Sequence, residues 1–186
     1  MENDNRWNEY VVELGEGLAL LMGPDLPADE LYFKCSQMNY NNLSYLATSS
    51  NSPEILIQIY KILVERKKES NGIKTELAQN IFTPVHILEE LAQNKNEYIV
   101  GCVANNKMTP EYLLSSLTSH SEAHVRRIVA AHPSLPLTAL YQLLEDLDAS
   151  VANAAMVALT TRKDSPMSDL PENWVKRSIK KDSKRF

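Results

Sequence analysis

His120 and His124 flank Ser121-Glu122-Ala123, a spacing that sets two imidazoles on one helix face, where they could share a metal ion. The pattern is not HExxH: the acid stands two residues after the first histidine, and the segment opens in a loop. Solvated linker residues are therefore expected there, and no metal is assigned. Cys35 and Cys102 lie far apart and outside any CxxC cluster, so no zinc or iron–sulfur framework is suggested. Serines and threonines are common but fall mostly at helix caps and turns, where their hydroxyls bond the backbone. No GxSxG, P-loop or GxGxxG occurs. Catalysis needs a positioned cluster of such groups. Without one, the chain is not expected to be an enzyme and no cofactor is expected.

Charge leaves one other chemistry open. Arg126-Arg127 and the basic tail at residues 174–186 could touch phosphates. The net charge is −5, however, with eight acids against Arg6 alone in residues 1–33. An acidic chain binds nucleic acid and anionic membranes poorly. Neither is expected as a partner, and nucleic acid held by Arg126, Arg127 and the tail is kept as the alternative. The apolar run at residues 18–22 is far too short to span a bilayer. The polar, acidic start lacks the basic region of a signal peptide, so the cytoplasm is the expected compartment.

The elements that must carry these residues are written as a repeat. Leu77-Ala78, Thr83-Pro84, Ile87, Leu88 and Leu91 return as Val103-Ala104, Thr109-Pro110, Leu113, Leu114 and Leu117. They return again as Val129-Ala130, Leu135-Pro136, Ala139, Leu140 and Leu143, and the prolines recur every 26 residues. A fixed period in this range marks a repeat array. Each unit reads as two short helices. The first is built on i, i+3 and i+4 positions: Ile99, Cys102, Val103; Val125, Ile128, Val129; Val151, Ala154, Ala155. Cys102 stands where the next unit has Ile128 and is expected to be a small buried hydrophobe.

The second helix is expected to start with proline in its first turn, after a capping Ser52, Thr83 or Thr109. Ile57, Leu88, Leu114 and Leu140, four residues past each proline, should form the spine of the core. Ala78, Ala104 and Ala130 are small where helices approach closely. Pro53 to Pro84 is five residues longer than the period. The extra residues are expected at 66–72, a charged run ending in the turn signal Asn71-Gly72, where the second helix overruns and a longer loop follows. After Leu159 the period fails: Arg162 stands where proline is due, and residues 160–168 read as a polar loop. Residues 6–22 read as an acidic N-terminal helix. Residues 171–181, with Trp174, Val175 and Ile179, read as a displaced last helix.

The run from Ala123-His124-Val125-Arg126-Arg127-Ile128-Val129-Ala130-Ala131-His132-Pro133 to Leu135-Pro136 and Leu140 resembles the leucine-rich repeat variant family. That family's unit has an acidic start, then Val-Arg-x-x-Val-Ala-x-Asn-Pro-x-Thr-Pro-x-x-x-Leu-x-x-Leu. Ala104-Asn105-Asn106 with Thr109-Pro110, and Ala78-Gln79-Asn80, match more loosely. His132 occupies the asparagine slot and should hydrogen-bond local backbone. The resemblance covers roughly residues 40–160, and weakly 16–39, and implies a right-handed α-solenoid of short paired helices, akin to HEAT repeats. The period here is slightly longer than that of the family. The cysteine cluster holding an iron–sulfur group ahead of the repeats in the family's founding member has no counterpart, so no cofactor carries over. The family shares no common activity, which points to an interaction role.

The expected organisation is an acidic capping helix and turn at 1–26, a helical repeat array of five to six units at 27–160, and a linker, capping helix and basic tail at 161–186. Solenoids expose a long surface made of equivalent positions. On the second helices the outward columns are His86, Tyr112, Thr138; Glu89, Ser115, Tyr141; and Glu90, Ser116, Gln142. A protein partner is expected there, with Tyr112 and Tyr141 as anchors. The oligomeric state is expected to be monomer or weak homo-oligomer.

Overall fold

The computed structural model describes residues 26–66 and 70–163. The helix expected at 6–22, the last helix at 171–181, the basic tail and residues 67–69 of the charged run lie outside the described residues. Within them the chain is all α. The helices are α1 (Ala28–Gln37), α2 (Tyr40–Ser49), α3 (Pro53–Glu65), α4 (Asn71–Gln79), α5 (Val85–Leu91), α6 (Glu97–Asn105), α7 (Glu111–Leu117), α8 (Ala123–Ala131), α9 (Leu137–Leu143) and α10 (Ala149–Thr161). The chain divides into two compact units, Met1–Cys102 and Val103–Phe186, with the division inside α6.

In the first unit α1 packs on α3 and α2 on α4, while α2–α3, α3–α4 and α4–α5 are hairpin neighbours. In the second unit α8 packs on α10, with α7–α8 and α9–α10 as neighbours. First helices stack on first helices, and in the first unit second helices stack on second helices. Each unit is thus a stretch of α-solenoid, as the period and the motif led us to expect. Ala78, Ala104 and Ala130 are wholly buried. So are Ile99 and Val103, Val125 and Val129, Val151 and Ala155, whereas Ile128 and Ala154 are only half-buried. Cys35 and Cys102 are buried free thiols. Burial pushes Cys35 up to about 11 and also raises Cys102, whose Sγ accepts a bond from the Gln79 amide. Both therefore rest as thiols rather than nucleophilic thiolates at neutral pH.

The spine differs from expectation at one rung. Leu88, Leu114 and Leu140 are wholly buried, but Ile57 is half-exposed, and Leu56 is the buried residue. The cause is a one-residue shift of proline relative to the helix. Pro84, Pro110 and Pro136 are the N-cap residues of α5, α7 and α9, whereas Pro53 is the first residue of α3. Counted from the helix start, the fourth residue is Leu31, Leu56, Leu88, Leu114 or Leu140, and each is buried. The first turn, and not the proline, sets which side chain points inward.

The same shift decides capping. Ser52 Oγ accepts from the Ile55 N–H at 3.3 Å, as expected. Thr83 and Thr109 do not cap the following helix. Their hydroxyls turn back and donate to the carbonyls of Leu77, at 2.6 Å, and Val103, at 2.5 Å, satisfying orphan acceptors at the end of the first helix.

Two more expectations are corrected. Asn71 and Gly72 lie in the first turn of α4 and not in a turn ending the loop; the space a Gly72 Cβ would need holds the Tyr40 hydroxyl. α10 continues to Thr161, through the start of the expected polar loop. The position one period after His132 is Ala158, which has no side chain to form a turn. The helix therefore runs on to Arg162, whose guanidinium donates to the Leu135 carbonyl. The second helix of the insertion-bearing unit is longer, as expected, with 13 residues in α3 against 7 in α5, but it ends at Glu65, so the added length lies before the charged run at 66–72 and not in it.

Side-chain turns close both ends of the helical pairs. Asn80 Oδ1 accepts from the Phe82 N–H, and its amide donates to the Ala47 and Ser50 carbonyls, both at 2.9 Å. In the second unit Asn106 Oδ1 accepts from the Met108 N–H. His132 performs the same task with a ring: Nδ1 accepts from the Ser134 N–H at 3.1 Å, and Nε2 donates to the Asn106 carbonyl at 3.2 Å. A second set recurs with the same period at Asn94, His120 and Asp146, which accept from the N–H groups of Asn96, Glu122 and Asp148. These are Asx-type turns, in which a histidine Nδ1 reproduces an asparagine or aspartate oxygen.

His132 is buried and uses both ring nitrogens in its neutral form, and burial holds its pKa below the usual histidine value, opposed by the Asn106 bond. The folded state resists a proton that the unfolded chain accepts near pH 6.5. Stability is therefore fully present above that value and falls as pH drops towards the folded pKa, at up to about 1.4 kcal/mol per pH unit. His132→Asn keeps the turn and removes the titration. Urea unfolding at pH 7.5 and pH 5 will show wild type losing stability relative to the variant. Parallel losses in the two proteins would show that His132 does not titrate on unfolding.

Candidate functional site

The nine residues expected on the outward face fall in both units. In the first unit, α5 presents His86 and Glu90 to solvent and leaves Glu89 half-buried. In the second, α7 and α9 present Tyr112, Ser116, Thr138, Tyr141 and Gln142, while Ser115 is half-buried. Tyr112 is 58% exposed and Tyr141 is 40% exposed, on helices whose Leu114 and Leu140 are wholly buried. The Ser116 hydroxyl donates within its own helix, to the Leu113 carbonyl at 2.7 Å.

His86 and Glu90 line a concavity, a groove of about 320 Å³ between α3 and α5. Its other walls are Ile57, Tyr60, Lys61, Val64, Glu65 and Ile87. Ile57 stands here because the register of α3 turns it out of the core. Val64 is 55% exposed. The sequence carries the signal: in Pro-Glu-Ile-Leu-Ile-Gln-Ile-Tyr-Lys-Ile-Leu-Val-Glu, residues 53–65, apolar side chains occur all round the helix, more than one buried stripe requires. The groove carboxylates are tethered by tyrosines of the preceding second helix. Tyr60 donates to Glu90 Oε2 at 2.8 Å, and Tyr32 donates to Glu65 Oε2. Burial and the Glu90 carboxylate raise the Tyr60 pKa, and the Glu65 bond raises that of Tyr32, so both phenols stay protonated donors.

The basic candidates are placed differently. Arg126 grips Asp146 with two parallel bonds, Nε to Oδ2 at 2.7 Å and Nη2 to Oδ1 at 2.9 Å. Its Nη1 donates to the His120 and Ser121 carbonyls. Each of its three nitrogens thus donates to the protein. Arg127 is exposed and lies 3.3 Å from His124 Nδ1. His120 sits in the turn before α8, so it does not share a helix face with His124. Among the described residues no three His, Cys, Asp or Glu side chains gather as metal ligands. Among them, no helix is long and apolar enough to cross a membrane.

No protein-family model and no curated protein matches the chain. The chain is similar in structure to a solved protein described as a leucine-rich repeat variant with a novel repetitive protein structural motif, at 23% identity and a TM-score of 0.46. That match takes in 84% of this chain and 66% of the other, so the chain spans a little under two thirds of the length of the structure it resembles.

Proposed function

We propose that this protein is a non-enzymatic, cytoplasmic helical-repeat scaffold that binds a protein partner on its second helices. The observation that carries the reading is the exposure of Tyr112 and Tyr141 opposite wholly buried leucines on the same short helices. A tyrosine exposed to this extent on such a helix offers a large, rigid, amphipathic contact, the kind that dominates interface energetics. Nucleic acid is the weaker alternative, because Arg126 is committed to Asp146 and two carbonyls.

Affinity capture from the native host with the intact chain, repeated with the Tyr112→Ala/Tyr141→Ala variant, tests the proposal. The variant folds normally and binds its partner more weakly, by about tenfold or more. Retention of the partner at unchanged affinity would show that the surface is wrongly assigned.

A further inference from the structure

The unit that breaks the 26-residue period breaks it by building a groove. α3 has 13 residues where α5 has 7. Its seventh residue is Ile59, and the turns beyond it supply Tyr60, Lys61, Val64 and Glu65, half of the residues that line the concavity. Insertions in repeat proteins tend to decorate the binding face. This insertion adds apolar surface to water, since Val64 lies 55% exposed, and such exposure does nothing for the fold.

The charged part of the lining is two carboxylates, Glu65 and Glu90, against one ammonium, Lys61, with His86 beside them. Ile57 and Val64 supply the accessible apolar surface, over the buried Ile87. Each carboxylate accepts one tyrosine hydroxyl, which aims it without neutralising it. Among the described residues the ion pairs are Lys34–Glu30 and Arg126–Asp146, and neither involves a groove carboxylate. Two oriented carboxylates that form no ion pair among the described residues, beside an apolar surface, are complementary to an apolar side chain flanked by cations.

We propose that the α3–α5 groove docks a short basic segment of a partner protein, with an apolar side chain on Ile57 and Val64 and flanking lysines or arginines on Glu65 and Glu90. This rests on the scaffold reading and names the partner's chemistry. The probe is a fluorescent peptide of two leucines flanked by arginines, with a second peptide carrying glutamates in place of the arginines. The full chain binds the arginine peptide and rejects the glutamate peptide, and salt weakens the binding. Glu65→Gln/Glu90→Gln, both exposed and harmless to the core, lowers the affinity about tenfold. Val64→Ser lowers it as well, whereas Glu111→Gln on α7 does not.

Equal binding of the two peptides, binding untouched by the glutamine pair, or no binding of either peptide would overturn the proposal. A native partner lost by the Tyr112→Ala/Tyr141→Ala variant but kept by the glutamine pair would also overturn it, and would leave the scaffold reading standing.

Discussion

Leu114→Ala lowers stability by about 2–5 kcal/mol. Leu114 is wholly buried at the fourth position of α7, with Leu113 and Leu117 of the same helix also in the core. A helix of 7 residues has almost no stability of its own and is held by the face it buries. Truncation removes the transfer free energy of the isobutyl group and leaves a cavity that short, mutually braced helices close only in part. Ser115→Ala, one residue on and half-buried, changes stability by less than about 0.5 kcal/mol. Chemical denaturation of the two variants checks the pair. Equal effects would mean that the inward face of α7 is misidentified.

Arg126→Ala destabilises the second unit by about 2–4 kcal/mol. The substitution removes a bidentate pair and two bonds to backbone carbonyls. It also leaves Asp146, whose side chain is 8% exposed, with a backbone N–H as its remaining partner. Arg126→Lys recovers only part of the loss, because an ammonium cannot reproduce the planar fork. The pH dependence provides a separate check. The Arg126 bond holds Asp146 below its ordinary value of 3.8. Its contribution is therefore present above that value and lost as pH falls through the folded pKa. The gap between wild type and variant, measured by thermal unfolding, should stay constant from pH 7 to pH 5 and narrow in stronger acid. A gap that does not narrow would assign the cost to the carbonyl bonds rather than to the carboxylate.

The period made the helical pairs, the buried Leu88, Leu114 and Leu140, the close-packed alanines and the lengthened α3 readable before any coordinates. The details that escaped share a physical origin, in that they depend on positions relative to a helix start or a turn. Ile57 and Leu56 exchange roles because Pro53 sits one residue further into its helix than Pro84. Thr83 and Thr109 have the composition of caps, but the proline between them and the helix shifts the cap position, and their hydroxyls find carbonyls behind them instead. The turn set at Asn94, His120 and Asp146 was hidden by chemistry: three residue types supply one acceptor at the same place, and only the period links them. The two histidines of the apparent metal spacing are explained in the same terms, His120 as a turn acceptor and His124 as an exposed helical residue. The groove was harder to see because its floor is made of residues that the spine had claimed or that apolar periodicity alone assigns to a core.

Thiol labelling of Leu56→Cys and Ile57→Cys, compared side by side under native conditions, tests most directly the claim that the first turn of each second helix divides core from binding face. Cys35 and Cys102 are buried and form a slow background. A cysteine at position 57 is expected to react while the protein stays folded, and one at position 56 only as fast as the protein unfolds. Equal rates, or faster reaction at position 56, would contradict both the stacking register and the groove that depends on it.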